Sequence, residues 1–339
     1  MSLINHQVQL ASRPDGEPSI ANFRHVQSPV AALQDGQVLV RNHYLSLDPY
    51  MRGRMNDAKS YAQPQPLGEV MQGGTAGEVV ESRSPKFAVG DKVVGMGVWQ
   101  EYSVVDGNAV GALRKVDTTR VPLSHYLGAV GMPGVTAWYG LVKIIAPKEG
   151  DTVVVSAATG AVGSAFAALA KARGCRVVGI AGGPEKCAYT VGELGFDACI
   201  DYKAGQVKEG LRELCPKGVD VYFDNVGGDI LDTVLTRITR GARIVICGAI
   251  SQYNATGAVQ GPKNYLSLLV NRARMEGIVV FDYADRYHLA VTEMAGYLKD
   301  GRMKSKEDVV QGLEKFPDAL LKLFNGENFG KLVLQVTKD

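Results

Sequence analysis

Between a short apolar run and an alanine-rich stretch the chain carries Ala157-Ala158-Thr159-Gly160-Ala161-Val162-Gly163. Two glycines three apart at the mouth of a helix let backbone approach a phosphate closely. The turn Gly160, Ala161, Val162 and Gly163 then brings that phosphate to the unpaired N–H groups and the positive dipole of the helix N-terminus. These residue types at this spacing point to a bound dinucleotide, although Ala157 stands where a first glycine is usual. Which dinucleotide depends on the end of the next strand. NAD sites place an acid there, about twenty residues on, to accept from a ribose hydroxyl. Here Ile180 is followed by Ala181-Gly182-Gly183-Pro184-Glu185-Lys186. No acid ends the strand and Lys186 is placed to meet a 2′-phosphate, so NADP is favoured over NAD. Arg176 is an alternative cation, and Glu185, past the turn, is the weaker case for an NAD ribose.

The elements around this turn must form a sheet that presents it. At 339 residues, with 46% hydrophobic and 21% charged residues, the chain can fill two cores. Its formal net charge of +2 gives no general attraction to nucleic acid or an anionic membrane. The five cysteines, Cys175, Cys187, Cys199, Cys215 and Cys247, form no Cys-x-x-Cys pair and resemble no disulfide framework, so a reducing cytoplasm is expected. Met1 to Gln9 lacks a basic segment followed by an apolar core, so no secretory leader is expected. Val153 to Ala170 is uncharged and of membrane-spanning length, but its Ala, Gly, Ser and Thr content and its phosphate-binding glycines argue for a soluble strand and helix.

Up to about Leu123 the chain reads as β-rich, with alternation at Gln37–Arg41, Thr75–Val80 and Lys92–Val94, which suggests a small barrel or sandwich. From Tyr126 apolar strands alternate with helices, the mark of parallel βαβ units. Strands are expected at Asp151–Val155, Arg176–Ile180, Ala198–Ile200, Val219–Asp224, Ala242–Cys247 and Gly277–Phe281, with a helix over Ser164–Arg173 closed by Gly174. Six such strands make a doubly wound, Rossmann-type α/β fold. An amphipathic helix (Phe316–Phe324) and a strand (Lys331–Val336) end the chain. The expected domains are 1–125, 126–301 and a returning segment, 302–339.

Four motifs then carry a resemblance. Leu47-Asp48-Pro49-Tyr50-Met51-Arg52, Met132-Pro133-Gly134-Val135-Thr136-Ala137, Phe223-Asp224-Asn225-Val226-Gly227-Gly228 and Cys247-Gly248-Ala249-Ile250-Ser251-Gln252-Tyr253-Asn254 resemble, in order, the zinc-independent alkenal reductases. These are the branch of the medium-chain dehydrogenase/reductase superfamily that holds prostaglandin, plant double-bond and bacterial curcumin reductases. The resemblance runs to Asn328-Phe329-Gly330-Lys331. It implies a GroES-like barrel as catalytic domain, rejoined by the C-terminal segment, with the active site in the cleft between domains, and a homodimer. By the same resemblance Lys186 and Tyr202 hold the 2′-phosphate, and Gly182, Asn225, Gly248, Ile250, Ser251, Tyr253 and Asn328 lie near NADPH. Met132, Thr136 and Phe281 lie near the nicotinamide. Gly183 departs from the serine of many relatives.

Zinc-dependent relatives need Cys and His ligands that this chain lacks: no cysteine precedes Cys175, Gly68-Glu69-Val70 replaces a Gly-His-Glu, and the five histidines are dispersed. Hydride addition to a simple carbonyl builds an alkoxide that usually needs a Lewis acid. Hydride addition to the β-carbon of an enone builds a delocalised enolate that hydrogen-bond donors can hold. The expected reaction is therefore NADPH-dependent reduction of the double bond of a small enone or alkenal. Tyr253 is the first candidate donor, with cofactor positioning as its other role, and Tyr50 the second. Arg52 and Arg54 are expected to form structural ion pairs. Alternatives are a zinc-free quinone reductase and an NADPH-binding protein without turnover.

Overall fold

The computed structural model describes residues 3–337. The chain divides into two compact units: one runs to Leu127 and resumes at Glu307, and the other is Gly128–Lys306. The divisions expected from sequence, at 126 and 302, fall slightly earlier in the chain.

The second unit is built on six parallel strands, β1 (Thr152–Ser156), β2 (Arg176–Ala181), β3 (Ala198–Asp201), β4 (Val219–Asp224), β5 (Ile238–Ile246) and β6 (Arg274–Gly277), in the order β3-β2-β1-β4-β5-β6. This is the doubly wound order, and its chain reversal lies between β1 and β4. The runs form strands because their β-branched residues are buried on both faces: Val153, Val154, Val155, Val177, Val178, Ile180, Val221 and Val245 are inaccessible to solvent. Helix α1 (Ala161–Lys171) follows β1 and begins three residues earlier than expected. Its buried alanines and Phe166 lie against the sheet, and Gly174, with φ +76°, turns the chain out of it. Helix α2 (Pro184–Gly192) follows β2, with proline in its first turn.

One strand differs from expectation. Its apolar run suggested Gly277–Phe281, but β6 is Arg274–Gly277, in register with Arg243–Ile246 of β5. Beyond Ile246 the partner is gone, because β5 turns away where Cys247 and Gly248 donate their N–H groups to the carbonyl of Asp224. Residues past Gly277 therefore have no strand to pair with, and Val280–Arg286 winds into a short 3₁₀ segment that carries Phe281.

In the other unit the central strand is Gln37–Ser46, which pairs antiparallel with Thr75–Ser82, Tyr102–Asp106 and Lys331–Gln335. Thr75–Ser82 continues to Lys92–Gly95 and Leu113–Lys115, and Glu307–Gln311 runs parallel to Lys331–Gln335. The returning segment thus contributes two strands to this seven-stranded sheet. Its helix, Phe316–Phe324 as expected, packs Phe316 and Leu320 with Trp99, Met51 and Met55 in one core. Among the described residues no helix is long and apolar enough to cross a membrane, and the uncharged stretch from Val153 is divided between β1 and α1.

Candidate functional site

The carboxyl ends of five neighbouring strands converge on one edge of the parallel sheet, where ligands of open α/β sheets bind. At the end of β1 the backbone of Ala157 takes a left-handed conformation, φ +50°, that a glycine would adopt without strain. Gly160 caps α1 in extended conformation, and its carbonyl accepts from both Ser164 N–H and Ser164 Oγ. A Cβ at Gly163 would stand 2.5 Å from the Ala157 carbonyl oxygen, so α1 can meet this turn only at glycine. The first-turn N–H groups of Ala161, Val162 and Gly163 are directed out of the helix end, as at any helix N-terminus. The residues fit a dinucleotide: close backbone, helix dipole and no side chain in the way.

At the end of β2 the glycines act sterically. A Cβ at Gly182 would come within 2.9 Å of the Tyr202 ring, so Tyr202 lies directly on this backbone. Gly183 has φ +95°, which a residue with a Cβ could adopt only with strain, so glycine suits this position. Its N–H donates to Asp201 Oδ1 at 2.7 Å, and Lys203 N–H donates to the same oxygen at 2.9 Å. Asp201, at the end of β3, was not singled out from the sequence. The acid stands beside the end of β2, but it is engaged in fastening two loops together. Lys186 sits half-buried in the first turn of α2, with its carbonyl accepting from Thr190 Oγ1.

Beneath the ends of β1, β4 and β5 lies a second missed residue, Asp224. It is fully buried, and its Oδ1 accepts from Ser156 Oγ, Tyr222 OH and the N–H groups of Val226 and Gly227 at 2.8–3.0 Å. Burial holds its carboxyl above the ordinary carboxylate range despite those donors. The same burial pushes the Tyr222 phenol well up. The signal in the sequence was an acid directly after an apolar strand. Asn225 continues the network, donating its N–H to Ser156 Oγ and its side-chain amide to the Ser156 carbonyl. Gly227 and Gly228 both have positive φ, and Ser251 Oγ donates to the Val226 carbonyl at 2.6 Å, which laces the β4 and β5 loops together. Ile250 N–H reaches the Asn225 carbonyl in the same way.

Tyr253 folds back over the end of β5. Its hydroxyl oxygen accepts the Ala249 N–H at 3.2 Å, and a Cβ at Gly248 would approach that oxygen to 3.1 Å. Met132 and Thr136 lie one turn apart on the helix Met132–Tyr139, where Thr136 Oγ1 donates to the Met132 carbonyl. Gly134 between them is obligatory, because a Cβ there would collide with the Ala129 carbonyl. Phe281, on the 3₁₀ segment, is 54% exposed.

The remaining expected residues, Tyr50 and Asn328, belong to the other unit. Tyr50 begins the short helix Tyr50–Arg54, and burial with the nearby Asp48 charge pushes its phenol upward. The Arg54 guanidinium lies over the rings of Tyr50 and Tyr61, at 5.6 and 5.1 Å from their centroids. Arg52 and Arg54 are structural, but through backbone carbonyls in place of the expected ion pairs. Arg52 Nη2 donates to Gly16 at 2.7 Å and Arg54 Nη1 to Gln63 at 3.2 Å. Lys331 Nζ forms the buried charge contact here, donating to Asp48 Oδ1 at 2.9 Å and to the Leu47 carbonyl at 2.7 Å. Ser46 Oγ donates to the other Asp48 oxygen. Asn328 donates its side-chain amide to the Gly330 carbonyl, next to Lys331 in sequence. Among the described residues no group of three His, Cys, Asp or Glu side chains is placed to hold a metal.

Residues 6–113 match a family described as the N-terminal domain of oxidoreductase, and residues 161–296 one described as zinc-binding dehydrogenase. The NADPH-dependent curcumin reductase of Escherichia coli (strain K12) is 45% identical over 340 residues, covering 99% of this chain and 98% of that protein. The NADP(+)-dependent 2-alkenal reductase of Nicotiana tabacum is 43% identical over 304 residues, covering 89% of this chain and 88% of the other. The crystal structure of CurA from Vibrio vulnificus in complex with NADPH matches with a TM-score of 0.93 and 47% identity, over 98% of this chain and 100% of that one.

Proposed function

The chain belongs to the zinc-independent medium-chain dehydrogenases/reductases, in the branch of curcumin, alkenal and prostaglandin reductases, and from that premise we infer its reaction. It is an NADPH-dependent oxidoreductase that reduces the carbon–carbon double bond of α,β-unsaturated ketones or aldehydes. The observation that carries the cofactor choice is the end of β2. Tyr202 lies on Gly182, Lys186 rises from the first turn of α2 beside Glu185, and the acid that ends β3, Asp201, is held by two backbone N–H groups.

Bound NADPH supplies the hydride. The residues around it divide the remaining work. In this reading Gly160, Ala161, Val162 and Gly163 receive the pyrophosphate on backbone N–H groups, and Lys186 with Tyr202 holds the 2′-phosphate. Gly182, Asn225, Gly248, Ile250, Ser251 and Asn328 line the cofactor, while Met132, Thr136 and Phe281 border the nicotinamide. The Tyr253 hydroxyl donates to the substrate carbonyl and protonates the enolate. Its geometry supports this role, because the Ala249 N–H aimed at its oxygen would stabilise the charge left after donation. Tyr50, half-buried beside Arg54, is the second candidate for touching substrate.

The test is NADPH oxidation with short alkenones set against quinones, with product analysis. Saturated ketone supports the reading, and hydroquinone as the sole product would replace it with quinone reduction. Tyr253→Phe should lower kcat on an enone by about a hundredfold, the scale of a lost general acid. Unchanged turnover would assign the tyrosine to holding the Cys247–Ala249 loop alone.

A homodimer through β6 belongs to the same proposal. All four residues of this edge strand are exposed, and the preceding helix, Leu266–Asn271, exposes Leu269 at 75% and Val270 at 65%. An uncovered strand edge beside an apolar face favours pairing with a second copy. Light scattering on the eluting peak in size-exclusion chromatography would read a monomer mass if this is wrong. The five free thiols suit the cytoplasm as the place where the enzyme works.

A further inference from the structure

Cys187 in the first turn of α2 and Cys199 in β3 are free thiols whose sulfurs lie 2.9 Å apart. That is far inside the separation at which two unbonded sulfurs ordinarily rest, and a disulfide bond would need them at about 2.05 Å. The side chains are aimed at each other across the helix–sheet interface, and both are half-buried, within reach of a small reagent. The location gives the pair its interest. Cys187 is the next residue after Lys186, and Cys199 lies on the same short strand as Asp201, whose carboxylate fastens Gly183. Tyr202 follows Asp201 and covers Gly182. Both thiols also interact with the backbone of Ala181, the last residue of β2.

We propose that Cys187 and Cys199 form a reversible disulfide that couples the redox state of the thiol pool to NADPH binding at the end of β2. The first half stands on the geometry of the two sulfurs; the second rests on the assignment of Lys186 and Tyr202 to the 2′-phosphate given above. The oxidant is a low-molecular-weight disulfide, RSSR. The Cys187 thiolate attacks one of its sulfurs, forming Cys187–S–S–R and releasing RS⁻. Cys199, deprotonated, then attacks the Cys187 sulfur and releases the second RS⁻. The protein dithiol loses two electrons and two protons, and RSSR leaves as two RSH. The order follows from the hydrogen bond: Cys199 Sγ donates to Cys187 Sγ, which favours the thiolate at Cys187 and opposes it at Cys199. Burial raises both thiols, so both rest protonated and the exchange starts from the small thiolate fraction at Cys187.

Closing the bond draws the start of α2 toward β3 by most of an ångström. Lys186 rides on that turn, and the Gly183–Asp201 hydrogen bond and the Gly182–Tyr202 contact span the same elements. The oxidised protein should therefore bind NADPH more weakly, on the order of tenfold, because ångström-scale misplacement of a binding group carries losses of this scale or more. NADH, which lacks the 2′-phosphate, should change far less.

The experiment incubates the full-length enzyme with glutathione disulfide, blocks remaining thiols with iodoacetamide, and reads intact mass and tryptic peptides. Expected are a 187–199 linkage with three alkylated cysteines, reversal by dithiothreitol, and no linkage in Cys187→Ser or Cys199→Ser. Five alkylated cysteines, persistent mixed disulfides or a linkage between other positions would overturn the disulfide. Steady-state KM for NADPH and for NADH is then measured on oxidised and reduced enzyme. A higher KM for NADPH alone supports the coupling. Equal KM values with the linkage in place would overturn the coupling, and a parallel rise for both cofactors would overturn its dependence on the 2′-phosphate. The mass readout does not depend on the cofactor, so it separates failure of the disulfide from failure of the cofactor assignment.

Discussion

At the glycine turn of the parallel-sheet unit the fit between elements is made by backbone, whereas in the other unit the helix carrying Tyr50 is fixed by charged side chains buried beside it. The first arrangement needs glycine where helix and turn touch, as at Gly163, and uses side chains such as Asp224 and Asp201 only to fasten loops. The second needs none of this. Asp48, Arg52 and Lys331 are each nearly inaccessible to solvent, and every one of them bonds to backbone carbonyls or to one another near the start of the helix. Backbone recognition tolerates little change in volume, while a buried charge tolerates little change in its partner. The two units should accordingly fail in different ways.

The largest effect is expected in the charge-built unit. Lys331→Met removes the only cation bonded to Asp48 among the described contacts and leaves a buried carboxylate with the Ser46 hydroxyl but no countercharge bonded to it. Unfolding free energy from urea titration should fall by about 3–5 kcal/mol, the usual cost of breaking a buried pair from one side. A loss below about 1 kcal/mol would mean that this unit is less dependent on charge than the contrast holds.

Gly163→Val probes the backbone-built unit. The new Cβ would sit 2.5 Å from the Ala157 carbonyl oxygen, which forces α1 off the turn. NADPH affinity, followed by fluorescence titration, should drop roughly a hundredfold or more, equivalent to about 2.7 kcal/mol. Far-UV circular dichroism should stay close to that of the parent. Native affinity in this variant would show that the turn has room the glycine does not need.

This difference also explains what could be read from the sequence. Gly160 and Gly163 announce themselves because the whole device lies within seven residues, and a strand and a helix on either side give it context. The six strands were legible because burial on both faces makes nearly continuous apolar runs. Phe281 was misplaced into a strand for the same reason: an apolar run looks like a strand whether or not its partner continues, and β5 ends at Ile246. Asp48 and Lys331 are 283 positions apart, so no local pattern could join them. The carbonyl bonds of Arg52 and Arg54 depend on loops whose course only the folded chain settles. Cys187 and Cys199 looked scattered because their contact is made by a helix returning over a neighbouring strand.

The smallest effect tests the contrast through pH. In the antiparallel sheet, Glu78 accepts from Lys92 Nζ at 2.9 Å, with Arg41 and His43 further off, and the Lys92 hydrogen bond holds its carboxyl below the ordinary value of 4.5. A depressed carboxyl contributes stability that is fully present above the ordinary value and is lost as pH falls through the lowered one. Asp224 has the opposite sign: burial raises it from 3.8, so its share is present below that value and is lost as pH rises through the raised one. Glu78 is partly exposed, and Glu78→Gln should cost under about 1 kcal/mol at pH 7. Urea midpoints of parent and variant should keep their gap from pH 7 down to the ordinary carboxyl value and converge only as pH falls below it, because there the parent loses the charge that the variant never had. A gap that widened on acidification would place Glu78 with Asp224 and erase the electrostatic difference between the two units.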